Sequence, residues 1–257
     1  MSWTDHARPG VQVAPSPFES DRFGLSVSRA VVGTATAEET SAALDSCPDD
    51  LVVVRFDASR RDLADALSRT GRRVLPAGTL VYWERPAAAG ALASGSDELV
   101  VVRARDLGDR AVAVLDDVVG DSFAAYGNHY SVNPLLDPAK ALAGYQEWAR
   151  RSLDDPTHEV ALLLDGAEPV GGATVEVTGE HVEILLAGLV SRAQGRGAYR
   201  ALLAWSVAEC EVRGLSRVVI STQADNVRVQ RAWARAGFVP FAAVETVHLV
   251  RGAGSRD

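Results

Sequence analysis

Apolar runs alternate along this chain with segments whose apolar positions recur at helical spacing. In the first third, the predicted elements are a strand, an amphipathic helix and a second strand at 51–56, 60–71 and 79–85. The second series predicts a strand, a helix and three further strands at 98–104, 137–153 and 159–190, followed by a helix, a strand, a helix and a strand. This mixture predicts an α+β or α/β class with helices packed on a mixed sheet.

A segment of small residues separates the two series. The sequence AAAGALASGSD at 87–97 follows Pro86 and lacks hydrophobic periodicity, which is typical of a linker between packed units. We therefore predict a smaller N-terminal domain at 1–86, a linker at 87–97 and a larger domain at 98–257.

A weak internal repeat relates the two series. A shift of 166 residues lays 52–86 over 218–252 without a gap, and nine of the 35 aligned pairs are identical. Both copies have the pattern strand, helix, glycine, strand. One interpretation is duplication of one fold with a shortened first copy. The other is agreement by composition between two segments rich in alanine and arginine.

Composition narrows the class of protein. The 257 residues are 47% hydrophobic and 23% charged, which is ordinary for globular domains. No apolar run approaches the roughly 18 residues that cross a bilayer, and the start of the chain lacks the features of a secretion signal. We therefore expect a soluble, cytoplasmic protein with no membrane partner. Cys47 and Cys210 form no CxxC motif, so we expect both to be small buried residues.

Charge and histidine spacing disfavour two kinds of site. The 26 basic and 34 acidic residues give a net charge of -8, and no stretch collects five like charges, so nucleic acid is not expected as a partner. None of the five histidines has another three or four residues away, so we expect no metal site.

The segment LVSRAQGRGAYRALL at 189–203 carries the strongest chemical signal. It joins a predicted strand to a predicted helix through Gln194, Gly195, Arg196, Gly197 and Ala198. A glycine-rich turn at a helix N-terminus leaves N–H groups unpaired at the positive end of the helix dipole, where they bind phosphate oxygens. Tight strand–helix turns also use glycine for steric reasons, so the motif alone has a structural alternative. Neither a P-loop lysine nor GxGxxG is present.

The wider context of this loop resembles the GNAT superfamily of acyl-CoA-dependent N-acyltransferases. The order is strand, Q-x-x-G loop, helix, the strand RVVIST, Asn226 and then W-x-x-x-G-F at 233–238. Gln194 and Gly197 match the family's loop pattern, whereas Tyr199 stands where the family has Gly or Ala. The resemblance implies an α+β fold with a mixed, mostly antiparallel sheet flanked by helices, preceded here by a smaller, degenerate GNAT-like half.

The resemblance also implies where a cofactor, acetyl-CoA, would bind. Its pyrophosphate would lie on the N–H groups of the loop from Gln194 to Tyr199. The preceding strand, with Leu189 and Val190, would pair with the pantetheine arm and offer an N–H group to the thioester oxygen. Asn226 matches the family asparagine that contacts the cofactor near the reaction centre.

A narrower resemblance, to the dTDP-fucosamine acetyltransferase type, rests on two segments. PFESDRFGLSVSRA at 17–30 is similar to the N-terminal element of that group. The group's F-x-x-Y-x-x-H-Y-x-x-N-P segment and its following Y-x-x-W pair are matched by Phe123, Tyr126, His129, Tyr130, Asn133, Pro134, Tyr145 and Trp148. This implies a nucleotide-linked amino sugar as acceptor and a pocket lined by Tyr126, His129 and Tyr130. Tyr145 and Trp148 either join that pocket or belong to the core.

The usual general acid of the family has no counterpart at its position. Trp233 stands where the family has a tyrosine, four residues before the Gly-Phe pair, and an indole N–H is not a usable acid at neutral pH. Three explanations remain open. Tyr199, Tyr130 or a water molecule protonates the thiolate, or the thiolate leaves unprotonated, or the activity is altered or lost.

Two residues are candidates for the base that deprotonates the amine. Glu183 lies on the strand before the loop and faces the site in many members of the family. His129 has an expected pKa of about 6.5. Each has a structural alternative, because Glu183 alternates with apolar residues as a solvent-facing strand residue does, and His129 could hydrogen-bond within the turn at 128–134.

We therefore predict an acyl-CoA-dependent N-acyltransferase that acts on a small-molecule amine. A homodimer is compatible with the sequence. One alternative keeps the fold and uses a carrier-protein or aminoacyl-tRNA donor. Another, motivated by Trp233, is a non-catalytic module that binds coenzyme A.

Overall fold

A computed structural model describes residues 3–95 and 98–252 of the chain. These residues form one ten-stranded sheet in the order β1-β2-β3-β10-β4-β9-β8-β7-β6-β5. The strands are β1 Val11–Pro15, β2 Val27–Val32, β3 Leu51–Asp57, β4 Arg72–Pro86, β5 Leu99–Arg103, β6 His158–Asp165, β7 Glu168–Val177, β8 His181–Leu189, β9 Arg217–Gln223 and β10 Val239–Arg251. The helices are α1 Pro17–Phe23, α2 Ala37–Asp45, α3 Leu63–Ser68, α4 Ala111–Phe123, α5 Pro138–Asp154, α6 Tyr199–Val212 and α7 Val227–Arg235.

The strand order of this sheet is symmetric about its centre. Two pairs, β2–β3 and β8–β9, are parallel, and the other neighbours are antiparallel. From β1 to β7 the order is β1-β2-β3-β10-β4-β9-β8-β7. Exchanging β1 with β7, β2 with β8, β3 with β9 and β4 with β10 gives the same order read in the opposite direction. The helices follow the same rule, since α2 and α3 take the chain positions in the first half that α6 and α7 take in the second.

The centre of this symmetry lies between β4 and β10. Thr79 and Glu245, which are 166 residues apart, face each other there, and the Thr79 hydroxyl donates to Glu245 Oε1 at 2.9 Å. The repeat in the sequence therefore corresponds to a structural repeat. Each half places its own last strand in the centre of the sheet, so that β10 lies between β3 and β4 of the first half.

The strands β2, β3 and β10 separate two hydrophobic cores. One face packs against α2 and α3 through Val52, Val54, Leu249, Leu44, Leu63 and Leu67. The opposite face packs against α1 and α5 through Val27, Leu51, Val53, Val250, Phe23 and Ala141. Because side chains alternate along a strand, the odd-numbered residues of β2 and β3 and the even-numbered residues of β10 share the α1 and α5 side.

The predicted elements are all present in the described part of the chain, but the pattern missed β1, β2, α1, α2 and α4. Cys47 and Cys210 are free and buried, as predicted. The division at 1–86, 87–97 and 98–257 stays a prediction, and residues 1, 2, 96, 97 and 253–257 lie outside the described residues. None of the helices in the described ranges has the length and apolar character to cross a membrane.

The central position of β10 makes a prediction about stability. Leu249 is fully buried, and β10 pairs with both β3 and β4. We expect Leu249→Ala to lower the free energy of unfolding by about 2–5 kcal/mol. Urea titration should then give one transition, with the same midpoint by tryptophan fluorescence and by far-UV circular dichroism, because both halves share this strand. Val212→Ala, at an 84% exposed position, should change stability by less than about 0.5 kcal/mol. Two separate transitions would contradict the shared centre.

Candidate active site

The parallel strands β8 and β9 separate partway along their length. Their paired register covers only His181 to Ile184 against Arg217 to Ile220. Beyond it β8 carries an irregularity, where the pairing with β7 shifts between Ile184 and Leu186. β8 then continues with β7 while β9 continues with β4, which leaves a gap between the two strands.

Part of the β8 backbone is directed into this gap. The Val190 N–H donates to the Val170 oxygen at 3.0 Å, so Val190 is turned toward β7. By the alternation of an antiparallel ladder, the backbone groups of Ala187 and Leu189 point the other way, toward the gap. Of the two predicted contacts of the pantetheine arm, Leu189 thus has the suitable orientation. Its carbonyl oxygen also accepts a hydrogen bond from Gln194 Nε2 at 3.1 Å.

The loop from Gln194 to Ala198 is open at the start of α6. Gly195 and Gly197 both have φ of 83°, a conformation that favours glycine. Within 3–95 and 98–252, no acceptor receives the N–H groups of Gly195, Arg196, Gly197 or Ala198. Arg228 of α7 donates to Gln194 Oε1 at 3.1 Å and so brings a cation beside the loop. These groups form a concave site for an anion.

The corresponding loop of the first half is closed by the chain itself. The N–H groups of Gly33 and Thr34 donate to the carbonyl oxygens of Gly10 and Arg8. The N-terminus of α2 is satisfied by a capping box between Thr36 and Glu39. In addition, β2 and β3 stay paired over six residues, from Val27 to Val32, without a gap. Of the two halves, the second therefore has the open anion site.

Tyr199 and Trp233 form a hydrogen-bonded pair beside the gap. The Trp233 indole N–H donates to the Tyr199 hydroxyl oxygen at 3.3 Å, and Trp233 is only 1% exposed. Burial raises the pKa of Tyr199 to about 12, despite the opposing hydrogen bond from Trp233. Tyr199 is therefore protonated at neutral pH. Because its oxygen accepts from Trp233, its own proton is available to another acceptor.

Polar groups from three elements meet near the end of β9. Asn226 Nδ2 donates to Thr222 Oγ1 at 3.0 Å, and the Tyr126 hydroxyl lies 3.4 Å from the same oxygen. Tyr126 and Tyr145 lie edge to face, with ring centroids 6.0 Å apart. Tyr145 and Trp148 are half-buried, so they line the cavity as well as contributing to the core.

The gap opens into a cavity of about 900 Å³ that extends to β3. Most of the predicted site residues line it, namely Tyr126, His129, Tyr130, Glu183, Leu189, Gln194, Gly195, Gly197, Tyr199, Asn226 and Trp233. Val190, Arg196 and Ala198 are not part of its wall. The sequence analysis missed several polar residues of this wall, namely Glu19, Arg29, Arg55, Glu176, Thr222 and Arg228.

Two carboxylates stand together on the β7–β8 side of the cavity. Glu183 is 8% exposed and lies opposite Glu176 in the antiparallel register. Its Oε2 is 3.8 Å from His181 Nε2, which has no hydrogen-bond partner in the described chain. Glu183 precedes the last paired residue of β8, so its carboxylate is next to the point where β8 and β9 separate.

A buried ion pair holds the opposite wall of the cavity. Glu19 accepts from Arg29 Nε at 2.6 Å, from the Ser16 hydroxyl at 2.6 Å and from the Tyr130 hydroxyl at 2.5 Å. Burial would raise the pKa of Glu19, but Arg29 and the two hydroxyl groups outweigh it and lower the pKa to about 2. This network ties α1, β2 and the turn that carries Tyr130 together.

His129 lies in a hydrogen-bonded series whose direction can be assigned. The Asn133 side-chain oxygen accepts from the Leu135 N–H at 3.1 Å, so Asn133 Nδ2 donates to His248 Nδ1 at 3.3 Å. His248 Nε2 then carries hydrogen and donates to His129 Nδ1 at 2.9 Å. His129 therefore carries its hydrogen on Nε2, and no hydrogen bond among the described residues uses that nitrogen. Burial, followed by the nearby Arg55 guanidinium, lowers the pKa of His129 well below its ordinary value.

The comparisons with known proteins agree with this geometry. Residues 124–238 match the model of the acetyltransferase (GNAT) family. No curated protein sequence matches the chain significantly. Within the described residues, no group of three or more His, Cys, Asp or Glu side chains could hold a metal ion.

Solved structures resemble most of the chain. A GCN5-related N-acetyltransferase from Sphaerobacter thermophilus has a TM-score of 0.61 at 15% identity, covering 95% of this chain and 78% of that one. A GCN5-related N-acetyltransferase from Kribbella flavida has a TM-score of 0.59 at 15% identity, covering 89% of this chain and 83% of that one. A tandem GNAT protein from the clavulanic acid biosynthesis pathway has a TM-score of 0.55 at 13% identity, covering 98% of this chain and 86% of that one. At these identities the likeness establishes the fold. The predicted α+β GNAT fold is thus confirmed, and the family match supports the predicted enzyme class, a GNAT-type N-acetyltransferase.

The ion pair of Glu19 makes a prediction about pH. The folded pKa of about 2 lies below the ordinary value of 4.5, so the stabilisation is present above about pH 4.5 and is lost as the pH falls toward 2. We expect Glu19→Gln to lower the free energy of unfolding by about 3 kcal/mol at about pH 7, and by much less at about pH 3. Urea titration at several pH values measures this difference. Glu211→Gln, at an exposed position of α6, is the matched control and should show no such trend. An unchanged difference at low pH would contradict the assignment.

Proposed function

We propose that this protein transfers an acetyl group from acetyl-CoA to the amine of a small molecule. The observation that carries the proposal is the open loop of Gln194 to Ala198, whose unpaired N–H groups lie beside the gap between β8 and β9. A strand gap next to an anion site suits a ligand that joins a pyrophosphate to an extended arm. Acetyl-CoA has that form, and when bound it would supply an activated thioester.

The residues that would hold acetyl-CoA belong to the second half. The N–H groups from Gly195 to Ala198 suit its pyrophosphate, and Arg228 adds positive charge beside them. The backbone groups of Ala187 and Leu189 suit the amide groups of an extended arm. Because the corresponding loop of the first half is self-capped, we propose one acetyl-CoA site in each chain.

Tyr199 is the proposed acid for the departing sulfur. It lines the cavity, remains protonated at neutral pH and can direct its O–H away from Trp233. Trp233 is then a positioning residue, because its indole N–H occupies the Tyr199 oxygen. This arrangement supplies a donor although Trp233 replaces the usual tyrosine, and it favours an active enzyme over a non-catalytic module.

Glu183 is the proposed base for the acceptor amine. Its carboxylate lines the cavity beside the separating strands and is able to accept a proton directly or through a water molecule. His129, the second candidate, has hydrogen on Nε2 and its Nδ1 bonded to His248, so it suits hydrogen-bond donation better than proton abstraction. We therefore propose His129 as a substrate-binding residue.

The proposed acceptor is a nucleotide-linked amino sugar. The support is the aromatic and polar segment that places Tyr126, His129 and Tyr130 on the cavity wall, together with a volume of about 900 Å³, which is ample for an acceptor beside the cofactor arm. A carrier-protein or aminoacyl-tRNA donor is the alternative. Both of these donors contain phosphodiester groups but lack the pyrophosphate that the open N–H groups of this loop suit.

Cofactor binding tests the proposal directly. We expect acetyl-CoA, and ATP much less, to raise the melting temperature, and calorimetry to give one site per chain. Gly197→Asp should weaken the binding of acetyl-CoA at least about 10-fold, because it places a carboxylate at the anion site. Gly197→Asn is the matched control, since its side chain has the size of Asp and is similarly tolerated at φ of 83° but carries no charge. Equal affinities of the two variants for acetyl-CoA would contradict the proposed binding of the pyrophosphate at this loop.

The acid role of Tyr199 has its own test. We expect Tyr199→Phe to lower kcat about 100-fold while the KM for acetyl-CoA changes less than about threefold. Between about pH 7 and 10 the wild-type kcat should not fall through titration of Tyr199, because its pKa is about 12 and the protonated form is the active one. Trp233→Phe should produce a smaller loss of kcat, since it removes the N–H that positions Tyr199. A fully active Tyr199→Phe variant would exclude this acid.

A further inference from the structure

Arg55 is a cavity-facing arginine without a partner. It stands on β3 in the run LVVVRF, on the face that also carries Leu51 and Val53. Among the described residues, no hydrogen bond or ion pair reaches its guanidinium group, and its Nε atom is buried without an acceptor. Burial, together with the neighbouring charge of Arg29, lowers the pKa of Arg55. A desolvated guanidinium without a carboxylate is costly unless a ligand compensates it.

The neighbouring charges do not neutralise Arg55. Arg29 is its diagonal neighbour on the same face of β2, but Arg29 is bonded to Glu19. Arg22, also in the cavity wall, is bonded to Glu147. Arg22 and Arg29, and also Arg151 of the same wall, therefore each have a carboxylate partner, whereas Arg55 has none among the described residues.

Several hydrogen-bond donors accompany Arg55. Thr246 lies directly opposite it on β10, and the Thr246 hydroxyl is buried without a partner. His129 presents its Nε2–H, and Arg55 is close enough for its positive charge to help lower the pKa of the His129 ring. The Tyr145 hydroxyl, also in the cavity wall, has no hydrogen-bond partner in the described part of the chain, and burial raises its pKa, so it remains a donor.

We infer that Arg55, with His129 Nε2–H beside it, binds an anionic group of the acceptor, a phosphate or a carboxylate. Arginine offers a planar set of N–H donors that matches both anions. This inference rests on the proposed function and names the class of its substrate, an amine that carries a negative charge remote from the reacting nitrogen.

The cavity is then divided by charge along its length. Glu176 and Glu183 lie at the end near the separating strands, where the amine would react, and Arg55 lies at the other end. Between β3 and β8 stand β10, β4 and β9, so these ends are about 19 Å apart measured along the sheet. The rings of Tyr126 and Tyr145 line the region between them. This separation favours an extended acceptor, such as a nucleotide-linked amino sugar, over an α-amino acid.

Kinetics with matched amines tests the inference. We expect UDP-glucosamine, whose anionic and nucleoside groups extend away from its amine, to be acetylated with a higher kcat/KM than neutral glucosamine. Arg55→Met should lower kcat/KM for the anionic amine about 10- to 100-fold, whereas kcat/KM for glucosamine should stay the same. Arg55→Lys, which keeps the charge, should restore part of the loss. Arg61→Met, at an exposed position of the same segment, is the control for removing an arginine. Equal rates for neutral and anionic amines, or no effect of Arg55→Met, would overturn the inference.

A second readout does not depend on turnover. With coenzyme A saturating the loop of Gln194 to Ala198, inorganic phosphate or acetate should raise the melting temperature above sodium chloride of equal ionic strength. Arg55→Met should abolish this rise, and Arg61→Met should not. Failure of coenzyme A to bind would overturn the proposed function. Binding of coenzyme A without an Arg55-dependent response to either anion would overturn the anion site alone.

Discussion

The antiparallel pairing of β4 with β10 is the contact on which the rest of this molecule depends. It places a strand from the end of the chain between two strands of the first half, so the core of that half is completed by Leu249 from the second half. The same strand places Thr246 opposite Arg55 and brings His248 into hydrogen-bond contact with His129, two residues that line the cavity. His248 in turn fixes the tautomer of His129. The central pair therefore determines the continuity of the sheet and, through His248, which ring nitrogen of His129 carries hydrogen.

The two halves share one topology but differ locally in strand pairing and in the loop before the first crossover helix. In the first half, β2 and β3 remain paired throughout, and Gly33 is packed so closely that a Cβ atom would lie 1.7 Å from the Arg8 oxygen. In the second half, β8 and β9 separate after Ile184, and the loop with Gly195 and Gly197 is left open. In the proposed function, the closed half serves as a wall for the acceptor and the open half receives the cofactor. Two halves with one topology thus present adjoining surfaces of unlike chemistry.

Sequence patterns predicted the elements with strong periodicity and the residues that share a motif. The run at 51–56 and the helix at 137–153 were placed within one residue, because each has a long apolar pattern between turn residues. The missed helix α2 begins at a capping box of Thr36 and Glu39, which is a local signal that an apolar pattern does not include. Arg55 was missed for a different reason. Its meaning depends on having no partner, and that is a property of the folded neighbourhood rather than of the sequence.

In the proposed mechanism, Tyr199 and Trp233 together provide the proton donor that a tyrosine at position 233 would otherwise supply. An indole N–H cannot give up its proton at neutral pH, but it does fix the direction of a neighbouring hydroxyl. Tyr199 stands at a loop position where a small residue is usual, so its ring reaches the space beside α7, where Trp233 is packed. Taken alone, Trp233 offers no acidic proton. Together with Tyr199 it forms one hydrogen-bonded unit, and the two positions should therefore be read as a pair.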